Sequence, residues 1–407
     1  MTSQGIYDLY SQDFARNAYA IFEDIRKDNP IFRQKGLDGE TPIWFLSRFK
    51  DIEAMLKDDE HFVLDYRMVV NAEDLARRQG SMAGVMDMVN NHLLSKEGED
   101  HRRLRSLVTL AFTPRRISDM RPRIQQIADE LLDQVEGIGQ MDLVEKYAFP
   151  LPIIVIAELL GIPSEDRNQF RAWSDIFVRP AMTSTAQDRF VQMAMEFVSY
   201  LQELFDQRRE NPRDDLISAL LQAEEAGDKL KTEELFSMIV LLIVAGHETT
   251  VTLIGNATIA MLTHPEVMSR LREHPEEMSK AVEEFLRYDP PVNRAITRIV
   301  AQDVDLGGHH FKRGELVIAL LGSANRDEEQ YPDSARLQIE RDNRAHLAFG
   351  RGVHYCLGAP LARLEGEIAL NTLLRRLPGL RLTIPENELE YREVPLFHSL
   401  ARIPVEF

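Results

Sequence analysis

The chain has 407 residues, of which 44% are hydrophobic and 28% charged, an ordinary balance for a globular protein and one that excludes a disordered chain. A chain of this length buries roughly three quarters of its unfolded surface and has room to enclose a bulky group. The formal net charge of −18 and a sequence pI of about 5.1 argue against non-specific binding to nucleic acid or anionic lipid.

In chain order, Met1 to Gln12 is polar and carries no secretory signal pattern. Ile43 to Leu46 reads as a strand. Residues 117 to 285 read as helical almost throughout, with apolar residues at three- and four-residue spacing in Ile117 to Val135, Asp188 to Arg209 and Thr232 to Thr263. Thr232, with Glu233 and Glu234 behind it, suits a helix N-terminus, and the helix it opens runs about 45 Å at 1.5 Å per residue. Its most apolar run, Met238 to Ala245, is too short by itself to span a bilayer. Ala281 to Tyr288 is a short helix. Residues 295 to 322 alternate strands and turns: Thr297 to Val300, Asp305-Leu306, a Gly307-Gly308 hairpin turn, a Lys312-Arg313-Gly314 turn, and Leu316 to Leu321. Tyr331 to Phe349 is a long loop, Leu361 to Arg375 a helix, and Phe397 to Phe407 a strand region. No repeat or linker breaks the chain, which reads as one mostly helical domain, 1–407, with a small β region at one side.

The long loop leads to the one cysteine, Cys356, which excludes an intrachain disulfide and points to a cytosolic protein. Cys356 sits where a turn with Gly350, Gly352 and Gly358 enters a helix. Backbone N–H groups and the helix dipole there favour a thiolate, and the bare backbone admits a flat bulky group. A structural zinc site needs about four ligands, which one cysteine without paired histidines cannot supply. His354 and Arg363 do not fit a phosphatase signature either. A buried structural cysteine is the remaining alternative from these residues alone. In the long helix, Ala245-Gly246-His247-Glu248-Thr249-Thr250 breaks helix rules: glycine costs about 1 kcal/mol against alanine, and a buried unpaired carboxylate costs more. Thr249 can bond the Ala245 carbonyl and bend the helix there. Such a break marks either function or a kink with a solvated glutamate.

Phe349, Gly352, Cys356 and Gly358, in the pattern Phe-x-x-Gly-x-x-x-Cys-x-Gly, resemble the haem-binding loop of the cytochrome P-450 family. Ala245 to Thr249 is similar to that family's oxygen-activating motif, and Glu284 with Arg287 to its Glu-x-x-Arg. The resemblance spans nearly the whole chain and is closest to the soluble bacterial branch. It implies the P-450 fold, with a long central helix over haem b (iron protoporphyrin IX), and Cys356 as the iron ligand. It implies that Thr249 hydrogen-bonds the dioxygen being activated and that Glu248 relays protons, in a site kept from bulk water. Thiolate ligation favours O–O cleavage. His247, on a different helix face from Thr249, is read as structural.

By the same resemblance Arg336 joins Glu284 and Arg287 in a buried network, although Leu337 replaces the usual aromatic. His101, Arg105, Arg298 and His354 partner the haem carboxylates, and Ala245, Gly246, Phe349 and Gly358 lie against the haem. Glu97-Gly98-Glu99-Asp100 departs from the family's turn before His101. Substrate contacts are expected at Ala245, Val292, Ala295 and Phe397, with the 66–92 segment and 177–187 loop, bearing Met68, Met82, Met86, Met88 and Met182, as adaptable apolar walls. The implied activity is hydroxylation of an apolar small molecule with O2. Electrons come from an external ferredoxin or flavodoxin with its reductase, because the chain shows no flavin or nicotinamide fingerprint. Arg102, Arg103, Arg115, Arg116, Arg351 and Arg363 offer either a basic docking patch for that donor or plain solvated charges. No membrane or nucleic-acid partner is expected. A peroxide-driven peroxygenase and a haem-based ligand sensor are the alternatives.

Overall fold

The structure, a computed structural model, describes residues 7–407 apart from 72–73, 75–90, 110–111, 167–168, 171, 174–175, 177–183, 226–230, 342–344, 393 and 395. The chain forms two compact units, each assembled from segments distant in sequence. The first comprises Met1–Leu64, Arg121–Pro150 and Thr249–Phe407, and the second Asp65–Met120 and Leu151–Glu248.

In the first unit, helix α1 (Gln12–Asp28) begins where the Ser11 hydroxyl accepts the Phe14 N–H, an N-cap. Its apolar stripe of Phe14, Ala18, Phe22 and Ile25 packs with Phe32, Phe45 and Leu320. Strands β1 (Ile31–Lys35), β2 (Pro42–Leu46) and β3 (Phe62–Val63), with helix α2 (Phe49–Lys57) between β2 and β3, lead into this unit's sheet. Phe32 on β1 stacks on Phe45 of β2, ring centroids 5.2 Å apart. In the second unit, α3 (Gly98–Thr109) and α4 (Pro114–Asp119) come first.

Back in the first unit, α5 (Arg121–Asp133) restarts the helix after Met120. Pro122 is tolerated only in a first turn, so the expected helix from Ile117 to Val135 is two helices. Strand β4 (Gln140–Asp142) then interrupts the expected run of helix. It is three residues long and held by pairing with the chain's last strand, so no local periodicity announces it.

The second unit continues with α6 (Pro150–Leu160), α7 (Ser184–Glu210) and α8 (Leu216–Glu225). Buried Arg208 on α7 pairs with Asp215 at 2.7 Å and donates to the Gly161 carbonyl, while Asp215 also accepts the Ser218 N–H that opens α8. Helix α9 (Thr232–Thr263) runs unbroken through both units' segments with the bounds expected from sequence. At its start, Glu234 accepts the Lys231 N–H and a two-pronged bond from Arg103. The whole helix is long and apolar enough to cross a membrane, but 72% of its most apolar 18-residue window is buried inside the protein, as in a core helix.

The remaining first-unit elements are α10 (Pro265–Glu273), α11 (Met278–Tyr288), β5 (Arg298–Val300), β6 (Val304–Leu306), β7 (His309–Phe311), β8 (Leu316–Ala319), α12 (Leu321–Ala324), α13 (Ala359–Arg376), β9 (Arg381–Leu382) and β10 (Pro404–Glu406). The main sheet has strand order β1-β2-β8-β5-β3, with β2 and β8 parallel and the other pairs antiparallel. The β6–β7 hairpin turns on Gly307 and Gly308 at φ 61° and 82°, the left-handed conformation such a turn demands. The strand expected to reach Leu321 stops at Ala319, where the chain coils into α12. The tail keeps only β10, in a sheet ordered β4-β10-β9, plus isolated bridges at Phe397 and Leu400. Helix α13 packs against α5, α10 and α11.

Candidate functional site

The cysteine loop is shaped by two left-handed glycines, Gly350 at φ 70° and Gly352 at φ 73°. A Cβ on Gly352 would stand 2.5 Å from the Leu56 carbonyl oxygen, so no other residue fits there. The Cys356 N–H donates to the Phe349 carbonyl at 2.9 Å and closes the loop, and α13 begins three residues later with Pro360 in its first turn. The thiol is half-buried and forms no disulfide. Gly358 has an ordinary φ of −81°, and nothing lies within 4 Å of where its Cβ would be. Its backbone therefore does not require glycine, and the bare position leaves open space at the N-terminus of α13.

Behind the loop, Glu284 and Arg287 on α11 are fully buried and joined by two bonds of 2.8 Å. The exposed ion pair that spacing alone would suggest is thus an interior one. Arg287 also donates to the carbonyls of Asn325, Ser334 and Arg336. Asn325 in turn accepts the Leu347 N–H at 2.7 Å, which ties this network to the approach of the cysteine loop. Arg336 enters through its backbone only, and its side chain is exposed. The second guanidinium near Glu284, after that of Arg287, is that of Arg341, Nε 3.7 Å from Oε1. Leu337 and Ile339 turn inward here and leave Arg336 and Glu340 outside.

On α9, Leu241, Ala245 and Thr249 share one face at four-residue spacing. Ala245 is exposed and the other two half-buried, although Leu242, Ile243, His247, Glu248 and Thr250 around them are buried. An exposed alanine in mid-helix with buried neighbours marks an open face. Glu248 is 2% exposed, which removes the solvated-glutamate alternative. Gly246 is half-buried, with Ile156 the nearest neighbour to its absent Cβ at an ordinary 3.5 Å.

In the second unit, His101 and Arg105 lie four residues apart on α3, the first buried and the second half-buried. In the first unit, Arg298 is buried and donates to the carbonyls of Met55 and Phe62, and His354 is half-buried. Val292 and Phe397 meet in an antiparallel bridge, and the Ala295 N–H donates to the Ala319 carbonyl. Three of the four expected substrate contacts thus lie along one stretch of backbone pairing. Ile296, not singled out from the sequence, is 44% exposed beside Ala295, and its only sequence signal is a lone apolar residue in a turn-rich stretch. Met68 is exposed. Met82, Met86, Met88 and Met182 fall outside the described residues.

The arginines considered for docking are mostly paired. Arg103 binds Glu234, Arg115 lies 4.0 Å from Asp119, Arg116 binds Asp214, Arg351 lies 3.6 Å from Glu53, and Arg363 binds Glu283. Arg102 is exposed.

The family model described as cytochrome P450 matches residues 157–380. The polyketide biosynthesis cytochrome P450 PksS of Bacillus subtilis is 41% identical over 403 residues, covering 98% of each chain. This chain belongs to the cytochrome P450 family. Vitamin D(3) 25-hydroxylase of Pseudonocardia autotrophica is 41% identical over 401 residues, covering 98% of this chain and 96% of that one. The crystal structure of a myxobacterial cytochrome P450, CYP267B1, in complex with myristic acid superposes with a TM-score of 0.93 at 41% identity, covering 99% of each chain. The fold is the P450 fold, mostly helical with small sheets, as expected from the sequence. The protein is a monooxygenase acting on a small molecule with O2, and its cofactor is the family's haem-thiolate group. The residues present fit such a group. The first unit offers one half-buried thiol ahead of a helix start, open space at Gly358 and a buried guanidinium at Arg298.

Proposed function

We propose that this chain uses haem b to hydroxylate an apolar small molecule in the cytoplasm, with electrons from a separate ferredoxin or flavodoxin and its reductase, and that residues 1–407 act as one catalytic domain. The observation that carries the reading is the placement of Cys356. It is a thiol on a loop fixed by its own N–H and by two left-handed glycines, at the N-terminus of an 18-residue helix whose dipole favours a thiolate.

When bound, the haem supplies dioxygen binding and reduction. Cys356 holds the iron as a thiolate. His101, Arg105, Arg298 and His354 neutralise the propionates, which need cationic or hydrogen-bonding partners once buried. Ala245, Gly246, Phe349 and Gly358 lie against the macrocycle. Thr249 orients dioxygen through its hydroxyl, and buried Glu248 carries protons inward. A buried carboxyl can do so without admitting bulk water. The Glu248–Thr249 pair favours O2-driven turnover over peroxide-driven turnover, because peroxide already carries the two protons that such a relay delivers and the two electrons that the separate donor delivers.

Val292, Ala295, Phe397 and Ala245 contact the substrate. The names of the relatives, which include a polyketide pathway enzyme, a vitamin D(3) hydroxylase and a myristic acid complex, support an apolar substrate of lipid, steroid or polyketide type.

The test is the spectrum of the reduced, carbon monoxide-bound protein. The expected result is the red-shifted Soret band of thiolate ligation, lost in Cys356→Ser. A band at the histidine-ligated position in the unmutated protein rejects Cys356 as ligand.

A further inference from the structure

Seven residues past the cysteine, Arg363 sits on the second turn of α13, where its charge beside Cys356 suggests a docking residue. Its surroundings assign it elsewhere. Nε donates to Glu283 Oε1 at 2.6 Å and Nη2 to Oε2 at 2.9 Å, a side-on fork that fixes the guanidinium plane. The guanidinium carbon lies 4.5 Å from the centroid of the Phe349 ring, and Nη1 reaches the Tyr355 hydroxyl at 3.3 Å. Phe349 supplies the carbonyl that accepts the Cys356 N–H, and Tyr355 immediately precedes the cysteine. The guanidinium therefore grips both residues that frame the thiol.

Glu283, next to the Glu284 of the Glu-x-x-Arg pair, is anchored from its other side. His346 Nε2 lies 3.4 Å from Glu283 Oε2, while His346 Nδ1 accepts the Ala348 N–H. Burial pushes the Glu283 carboxyl up, but His346 and Arg363 together bring it down to about 2, so it is ionised at every working pH. A full positive and a full negative charge thus stand side by side behind the loop.

We propose that Arg363 and Glu283 are positioning residues that hold the cysteine loop and, as a balanced charge pair, set the reduction potential of the group bound at Cys356. The proposal rests on the reading of Cys356 as the iron ligand. Reduction adds one negative charge at the site, so an uncompensated cation nearby favours the reduced form and an uncompensated anion opposes it. Glu283→Gln leaves the guanidinium unbalanced, and Arg363→Gln leaves the carboxylate unbalanced. A purely structural clamp predicts the same disturbance from either change, whereas the charge pair predicts opposite ones.

The experiment is spectroelectrochemical titration of the haem-loaded full chain at pH 8, with the carbon monoxide spectrum recorded for each variant. Glu283→Gln is expected to raise the midpoint potential and Arg363→Gln to lower it, both keeping the thiolate-type band. Shifts of the same sign, or no shift with that band intact, overturn the proposal. Should the glutamine variants fail to load haem, Glu283→Asp and Arg363→Lys, which keep both charges, carry the test. Wild-type potentials in both support it, and a shift in either overturns it. A histidine-type band in the unmutated protein removes the Cys356 reading itself, an outcome distinct from any pattern of potentials.

Discussion

Glu365 lies on α13 in a stretch buried on nearly every side, with Leu364, Gly366, Ile368, Ala369 and Leu370 around it. The residue is 2% exposed, and its Oε2 meets no hydrogen-bond donor among the described residues. Burial alone raises its carboxyl from 4.5 to about 8, so it is mostly neutral at pH 7. The folded state then holds a proton that the unfolded state releases, and stability falls as pH rises from 4.5 to about 8. At 1.36 kcal/mol per pH unit, the total loss reaches about 5 kcal/mol above pH 8 and about 3 kcal/mol at pH 7. Glu365→Gln keeps the shape and removes the titration. Its advantage over the unmutated chain is expected to be near zero at pH 4.5 and to grow to those values. With an unfolding entropy of about 2.1 cal/mol/K per residue, 5 kcal/mol in a chain of this length moves Tm by about 6 °C. Thermal unfolding of both proteins, haem-loaded, at half-unit steps from pH 5 to 9 measures the gap. A gap that stays constant with pH, or a glutamine variant less stable at pH 8, refutes the reasoning.

Gly161→Ala is expected to lower stability by several kcal/mol, because Gly161 is at φ 83° and a Cβ there would lie 2.1 Å from Asp215 Oδ2, inside the buried Arg208–Asp215 pair. An unchanged unfolding midpoint counts against it. His398 is buried, with Nδ1 2.7 Å from Asp289 and Nε2 2.8 Å from the Ala15 carbonyl; Tyr19 shares Asp289, Tyr391 stacks on the ring, and the Arg326 charge opposes protonation. Burial lowers its pKa, but Asp289 and Ala15 outweigh that and raise it above 6.5. Its stabilisation is therefore complete below pH 6.5 and lost as pH rises through the folded value. His398→Gln should cost most near pH 6 and least near pH 9, as read by the same thermal series, and a pH-independent cost contradicts the imidazolium. Thr249→Ala is expected to keep the haem while diverting electrons to peroxide. Product formed per electron consumed, if the same as in the unmutated enzyme, removes the dioxygen-orienting role proposed for Thr249.

What the sequence made legible was local. The hairpin at Gly307-Gly308 and the cysteine loop show because left-handed turns demand glycine. Helix α9 shows because 32 residues keep one periodicity. Features fixed by tertiary path did not show. β4 exists because β10 pairs with it, and the sequence pointed to Arg336 where the fold brings Arg341 to Glu284. The inward packing of Leu337 and Ile339 is what leaves Arg336 outside. Glu365 escaped notice for a related reason: on a helix buried almost all round, a polar position has no outward face to betray it.

Arg363 carries the same lesson to function. Counted as a charge near Cys356, it adds to a basic surface; held by Glu283, it contributes almost no net field at a distance. Arg103, Arg116 and Arg351 likewise sit beside carboxylates, so each pair is a local dipole rather than a monopole. In a chain with a net charge of −18, the electron donor proposed above would be steered by cations that face no carboxylate, and among the described residues exposed Arg102 is one with which to begin. Charge inventory near a motif therefore identifies where a donor approaches less well than the pairing of those charges does, and the pairing exists only in the fold.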